Sequence, residues 1–230
     1  MPIEESQKPR PCWWRLPWDL LLAHFSEWAR FRKPTTLLLL AVSLVSLILY
    51  LQDAELAARV SPEHRAGWVN ELARGLSYWG DFLTFCIPVG VLFWLGGALL
   101  KRIPWQRAGV ACLLGACLAG LTADLIQFSV GRARPRHDTE IQFAPFNTKT
   151  EQHSFPSGHS ATAFGSATAL AVCYPPVSVP LLLGASGVAW SRVYLGAHYP
   201  SDIVMGSGIG LVFGFLLGKT ARKTRTTNEH

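Results

Sequence analysis

The chain has 230 residues and a formal net charge of +6, with 50% of its residues hydrophobic and only 16% charged. That balance excludes a disordered chain and an ordinary water-soluble domain. Its 21 Lys and Arg are spread between apolar runs rather than gathered in one stripe, which argues against a nucleic-acid partner and for a membrane topology signal.

The first segment, residues 1–33, carries Trp18, Leu21, Leu22, Phe25, Trp28 and Phe31 at three- and four-residue steps. This is the pattern of a helix lying in the membrane interface, or of a cytosolic helix packed on a bundle. The first apolar run starts at Pro34 and is followed by no small-residue cleavage site, so it is expected to remain as a span. Six membrane helices are predicted within a single unit over 34–218, at 34–51, 82–100, 108–130, 156–174, 177–195 and 200–218. A hydrocarbon core of about 30 Å takes about 20 helical residues, which these runs supply. Residues 219–230 form a basic tail. The predicted fold class is all-α, a polytopic bundle of six transmembrane helices with an N-terminal interfacial helix.

Orientation follows from Lys and Arg counted on alternate sides. Thirteen, among them Lys8, Arg10, Lys101, Arg102 and Lys219, fall on one side and eight, Arg65 included, on the other. Both termini are therefore expected in the cytoplasm, with the long loops 52–81 and 131–155 outside. Cys86, Cys112, Cys117 and Cys173 lie inside apolar runs, which opposes a disulfide framework and a zinc site. Gly206, Gly210, Gly214 and Gly218, with Ala161, Gly165 and Ala169, repeat at four-residue intervals. Such faces let helices approach closely within one chain, and would also suit a homodimer.

Three polar clusters stand at the outer ends of the last four spans: 131–135 around Arg134, then Ser157, Gly158 and His159, then Ser191 and Arg192 followed by His198 and Asp202. Polar groups this close to hydrocarbon are costly and usually functional. Two arginines, two histidines, a helix start and a carboxylate suffice for hydrolysis of a phosphate ester without metal or cofactor. Arg134 and Arg192 each offer a planar fork of donors matched to phosphate oxygens. Pro156 begins a helix whose first amides, around Ser157, Gly158 and His159, form an anion site. His198 has Asp202 four residues on to accept its Nδ1 proton and leave Nε2 as nucleophile. His159 is left as general acid. Each of these residues alone would be read as structural, and their joint spacing is what makes the functional reading. Arg132 and Arg136 read equally well as solvated loop residues or as phosphate contacts. Asp124 is expected to bond to a neighbouring helix, and Asp81, Trp68 and Trp79 to act as interfacial anchors. His137, Lys149 and His153 read as surface loop residues.

These residues resemble the signature of the type 2 phosphatidic acid phosphatase superfamily. PSGH matches at 156–159, and SR, five residues, H, three residues, D matches from Ser191 to Asp202. The first motif departs from the family pattern, since Gln127 stands where a lysine is expected seven residues before Arg134-Pro135. The resemblance implies a membrane enzyme hydrolysing a lipid phosphate or diphosphate, such as undecaprenyl diphosphate, phosphatidylglycerol phosphate, phosphatidic acid or phosphorylated lipid A. It also implies a phosphohistidine on His198, with Asp202 its partner, His159 the acid, and Arg134, Ser157, Gly158 and Arg192 binding phosphate. Either Arg132 or Arg136 then replaces the charge missing at Gln127 from another direction, or the substrate carries fewer negative charges near that point. A lipid phosphotransferase and a non-catalytic lipid-binding protein are the alternatives.

Overall fold

The computed structural model describes residues 16–59, 67–136 and 142–226. The sequence readings that involve Lys8, Arg10, Arg65 and His137 lie outside the described residues. The elements are α1 (Leu16–Tyr50), α2 (Asp53–Ala58), α3 (Gly67–Trp79), a turn of π-helix at Phe82–Cys86 leading into α4 (Ile87–Leu99), α5 (Ile103–Val130), α6 (Gly158–Cys173), α7 (Ser178–Tyr194) and α8 (Pro200–Thr226). No strand occurs among the described residues. Arg132 and Phe143 form an isolated bridge in the loop after α5.

Four segments, Glu27–Tyr50, Phe82–Leu99, Ile103–Val130 and Pro200–Lys223, are long and apolar enough to cross a membrane. The predicted spans at 156–174 and 177–195 correspond to α6, of 16 residues, and α7, of 17. The bundle is apolar on the outside and small on the inside. Leu40, Leu44, Leu47, Leu92, Leu99, Leu121 and Leu183 are exposed, whereas Ala111, Ala116, Ala119, Ala161 and Ala169 are buried. In lipid, helix association rests on close backbone approach, and small residues at the contacts allow it.

α6 is the hub, packed by α5, α7 and α8, while α1 lies on α8, α4 on α5 and α3 on α7. The small-residue faces are spent inside this chain. A Cβ at Gly210 would stand 2.5 Å from the Ala161 carbonyl oxygen, and one at Gly214 2.5 Å from that of Gly165. This corrects the expectation that these faces also suit a homodimer, because each is already covered by its neighbour. Gly206 matters most for the site, since a Cβ there would come within 2.3 Å of the Ser157 carbonyl oxygen. Gly206→Ala is expected to cost about 1–3 kcal/mol of stability through overpacking, and to displace the start of α6. Thermal unfolding in detergent checks the first effect.

Two further expectations change. The proposed interfacial helix and the first span form one continuous helix, α1, with Pro34 inside it. Pro34 removes one backbone donor, and the Thr35 hydroxyl donates to the carbonyls of Phe31 and Arg32, at 2.9 and 3.1 Å, in the turn it disturbs. The loop 52–81 carries α2 and α3. The apolar positions Trp68, Val69, Leu72, Leu76 and Trp79 already follow helical spacing, and α3 rests on α7, with Leu76 against Gly187. Trp79 stacks on Phe85, their ring centroids 5.3 Å apart.

Candidate active site

The C-terminal end of α5 and the N-terminal end of α6 are joined by a loop held against both helices. Gly131 closes α5 at φ 61°, and a Cβ there would stand 1.8 Å from the Ala144 carbonyl oxygen, so only glycine fits. Ser154 donates its backbone N–H to the Arg132 carbonyl at 3.0 Å, and Arg134 donates its own to Glu151 at 2.9 Å. Ser157 caps α6, its hydroxyl oxygen accepting from the Ser160 N–H at 3.4 Å and the Ser160 hydroxyl at 3.1 Å. Its own N–H donates to the Asp202 carbonyl at 3.0 Å. That corrects the expectation that the Ser157 amide faces the anion, and the first-turn amides of Gly158 and His159 are the ones at the open helix start.

His198 lies on the short link between α7 and α8 and is buried to 2% exposure. Its Nδ1 is 2.7 Å from the Ser154 carbonyl oxygen and 3.8 Å from Asp202 Oδ2. A carbonyl oxygen can only accept, so this geometry requires a proton on Nδ1 and, in the neutral ring, leaves the lone pair on Nε2. The acceptor is a main-chain oxygen instead of the expected carboxylate. At 3.8 Å Asp202 acts as a neighbouring charge. Its oxygens are taken elsewhere, Oδ2 by the Ser154 hydroxyl at 2.5 Å and the Tyr199 N–H at 2.8 Å, and Oδ1 by Arg132 at 2.6 Å.

Around the imidazole stand the expected cations. Arg134, Arg192 and His198 all lie within electrostatic reach of His159 at the start of α6, so the three polar clusters converge. The Nε atoms of both Arg134 and Arg192 are buried and lack a hydrogen-bond partner, while Arg192 Nη1 donates to the Ser77 hydroxyl on α3. An orphaned guanidinium donor is expensive, and a tetrahedral anion satisfies it. Burial shifts the His198 pKa below the ordinary imidazole value, Arg134 and Arg192 push it the same way, and Asp202 opposes them. Burial also lowers the Arg134 pKa, and Arg136, on the exposed rim, adds to the effect.

Gln127, at the position of the missing lysine, and Arg132, one of its two candidate replacements, are both engaged by protein groups. Gln127 Nε2 donates to the Pro156 carbonyl at 2.6 Å, so it holds the turn before α6. Arg132 is buried between two carboxylates. Nη2 donates to Asp53 Oδ2 at 2.8 Å, and Nη1 to Asp202 Oδ1 at 2.6 Å and the Ser201 hydroxyl at 2.8 Å. Its guanidinium lies between the rings of Tyr50 and Tyr199, 4.9 and 4.1 Å from their centroids. Both terminal nitrogens are therefore committed to protein oxygens, which corrects the reading of Arg132 as the replacement phosphate cation. Asp53, Ser154 and Tyr50 were not singled out from the sequence.

Beside His159 a cavity of about 220 Å³ runs between α5, α6 and the start of the π-turn, lined by Gly80, Asp81, Gly120, Asp124, Gly158 and Thr162 among others. Asp81 caps the π-turn, accepting from the N–H groups of Leu83 and Thr84 at 3.0 and 2.9 Å, and Thr162 ties Gly80 to α6 through a 2.7 Å bond to its carbonyl. Asp124 is exposed to this cavity instead of bonding to a neighbouring helix as expected. An apolar cavity of about 110 Å³ lies between α4, α6 and α7, walled by Phe85, Val89, Ala163, Leu181 and Val188 among others.

The fold and this convergence place the protein in the class of integral membrane helical bundles with arginines and histidines gathered at one end. Its family is shown directly: the chain belongs to the PAP2 superfamily, whose family model matches residues 108–225. It is 34% identical to the lipid A 1-phosphatase of Rhizobium etli, over 78% of this chain and 81% of that one. It is 37% identical to the decaprenylphosphoryl-5-phosphoribose phosphatase of Mycobacterium tuberculosis, over 63% of this chain and 76% of that one. The crystal structure of a transmembrane PAP2-type phosphatidylglycerolphosphate phosphatase from Bacillus subtilis superposes with a TM-score of 0.61 at 24% identity, covering 84% of this chain and 97% of that one. The protein is thus a membrane member of a lipid phosphatase family.

Proposed function

We propose that the protein is a six-span phosphatase that removes phosphate from a lipid phosphomonoester at the outer face of a bacterial inner membrane, by way of a phosphohistidine and without a metal. The observation that carries this reading is a buried imidazole, its Nδ1 proton held by the Ser154 carbonyl, beside two guanidiniums with unpartnered Nε atoms.

In the first step His198 Nε2 attacks phosphorus, the N–P bond forms and the P–O bond to the lipid breaks. His159 donates a proton to the departing alkoxide. In the second step His159 takes a proton from water, the hydroxide attacks phosphorus, and the N–P bond breaks to release phosphate and restore the imidazole. Arg134, Arg192 and the amides of Gly158 and His159 hold the equatorial oxygens, and Ser157 keeps that helix start in place. Positioned charge of this kind supplies much of the rate in phosphoryl transfer. Asp202 holds the loops that carry the site.

The cavity beside His159 takes the leaving group, because His159 protonates it. Asp81 and Asp124 on its walls accept hydrogen bonds from hydroxyls and repel a second phosphate. A phosphorylated glycolipid of the lipid A kind, or another phosphomonoester, fits this wall better than a lipid diphosphate. The relatives that act on lipid A and on a phosphoribose lipid support the same ranking. The purified protein is expected to release phosphate from lipid A 1-phosphate in EDTA and to be inhibited by vanadate, which takes the shape of the transferred group. A panel of lipid phosphates and undecaprenyl diphosphate ranks the substrates. Activity lost to EDTA and restored by added metal overturns the metal-free mechanism, and label recovered in a second lipid instead of in phosphate makes the protein a phosphotransferase.

A further inference from the structure

Asp53 lies at the corner between α1 and α2, outside the matched family region. It is buried to 2% exposure, and every bond its carboxylate makes leads to the candidate site. Oδ2 accepts from Arg132 Nη2 at 2.8 Å and from the Ser201 hydroxyl, and Oδ1 accepts from the Ser201 N–H at 3.1 Å. Arg132 in turn grips Asp202 Oδ1 at 2.6 Å. Asp202 then reaches in three directions: to the Ser154 hydroxyl at 2.5 Å, to the Tyr199 N–H at 2.8 Å, and through its own carbonyl to the Ser157 N–H at 3.0 Å. Ser154 supplies the carbonyl that holds His198 Nδ1.

We propose that Asp53 is a positioning residue for phosphoryl transfer: through Arg132 and Ser201 it fixes Asp202, and so the acceptor that orients His198 and the residue that starts α6. This rests on His198 being the nucleophile. A buried guanidinium between two carboxylates contributes little net stability because desolvation offsets the attraction. Its geometric effect is large, since all three charged groups lose their freedom to move. With Asp53 present, Arg132 is pulled from both sides and sits midway. Without it, Arg132 is drawn toward Asp202 alone, and the Ser154 and Tyr199 anchors move with that carboxylate.

The test uses the full-length protein in detergent with a lipid phosphate that it turns over. Asp53→Asn is expected to lower kcat by about 10- to 100-fold with KM within about twofold, as misplacement of a reacting group does when substrate contacts remain. Asp202→Asn lowers kcat as well, and the double variant is expected to fall no further than Asp202→Asn alone, because both substitutions cut one chain of bonds. Multiplying effects in the double variant, a rise in KM with kcat intact, or a folded Asp53→Asn protein with wild-type kcat would each overturn the proposal. Should Asp53→Asn fail to purify, Ser201→Ala removes one strand of the same anchor while keeping the Asp53–Arg132 pair, and the same kcat loss and the same non-additivity with Asp202→Asn are required of it. His198→Ala in the parallel assay separates the two readings: turnover surviving there defeats the nucleophile assignment, whereas turnover lost there but unaffected by Asp53→Asn defeats only the positioning role.

Discussion

His198→Ala is expected to reduce phosphate release by about 10⁴-fold or more, since in the proposed mechanism its imidazole takes part in both half-reactions. The folded protein should still bind vanadate weakly through Arg134 and Arg192, which separates loss of chemistry from loss of the site. The pH profile of the wild type carries the same information. The His198 pKa lies below the ordinary imidazole range, chiefly because the ring is buried. Its Nε2 is therefore available throughout neutral pH, and the acid limb of kcat/KM is expected below about pH 6.5, the unperturbed histidine value. Stability moves in the matching direction. As pH falls below about 6.5 the unfolded chain binds a proton that native His198 refuses, so acid favours unfolding, and above that value this histidine carries no pH-dependent cost. Steady-state rates and thermal midpoints across pH 4–8 check the two statements. An acid limb above the ordinary imidazole range would contradict the buried neutral ring.

The second large effect is expected from His159→Ala, and it should depend on the leaving group. With an alkyl lipid phosphate the alkoxide departs unprotonated, and kcat is expected to fall by about 10²- to 10⁴-fold, the usual contribution of a positioned acid. With an aryl phosphate, whose phenolate leaves without help, the first step recovers. Water attack still lacks its base, so the phosphoryl group is expected to accumulate on His198 as an acid-labile, alkali-stable adduct visible after rapid quench. A uniform loss with both substrates and no trapped adduct would remove His159 from the proton-transfer role.

The apolar runs located the four segments that are long and apolar enough to cross a membrane, because a bilayer-length stretch with little charge is a strong signal. The polar clusters pointed to residues that the fold brings together, since topology alone puts alternate helix ends on one side. Three features escaped that reading for physical reasons. α3 was hidden because a half-exposed helix of 13 residues was treated as part of a loop, although its apolar spacing is regular. Asp202 was paired with His198 on sequence distance, whereas the ring turns to a main-chain carbonyl that carries no side-chain signature. The Arg132–Asp53 pair joins residues 79 positions apart, and a long-range ion pair leaves no local pattern. The exchange of an expected lysine for Gln127 also becomes interpretable only in three dimensions, where its amide holds the Pro156 carbonyl.

The backbone acceptor of His198 has an evolutionary corollary. Any amino acid encoded at position 154 still presents that carbonyl, so no single missense change there deletes the acceptor itself. Ring orientation is thus inherited with the path of the chain, and what selection can act on at this codon is the hydroxyl whose bond to Asp202 holds that path in place.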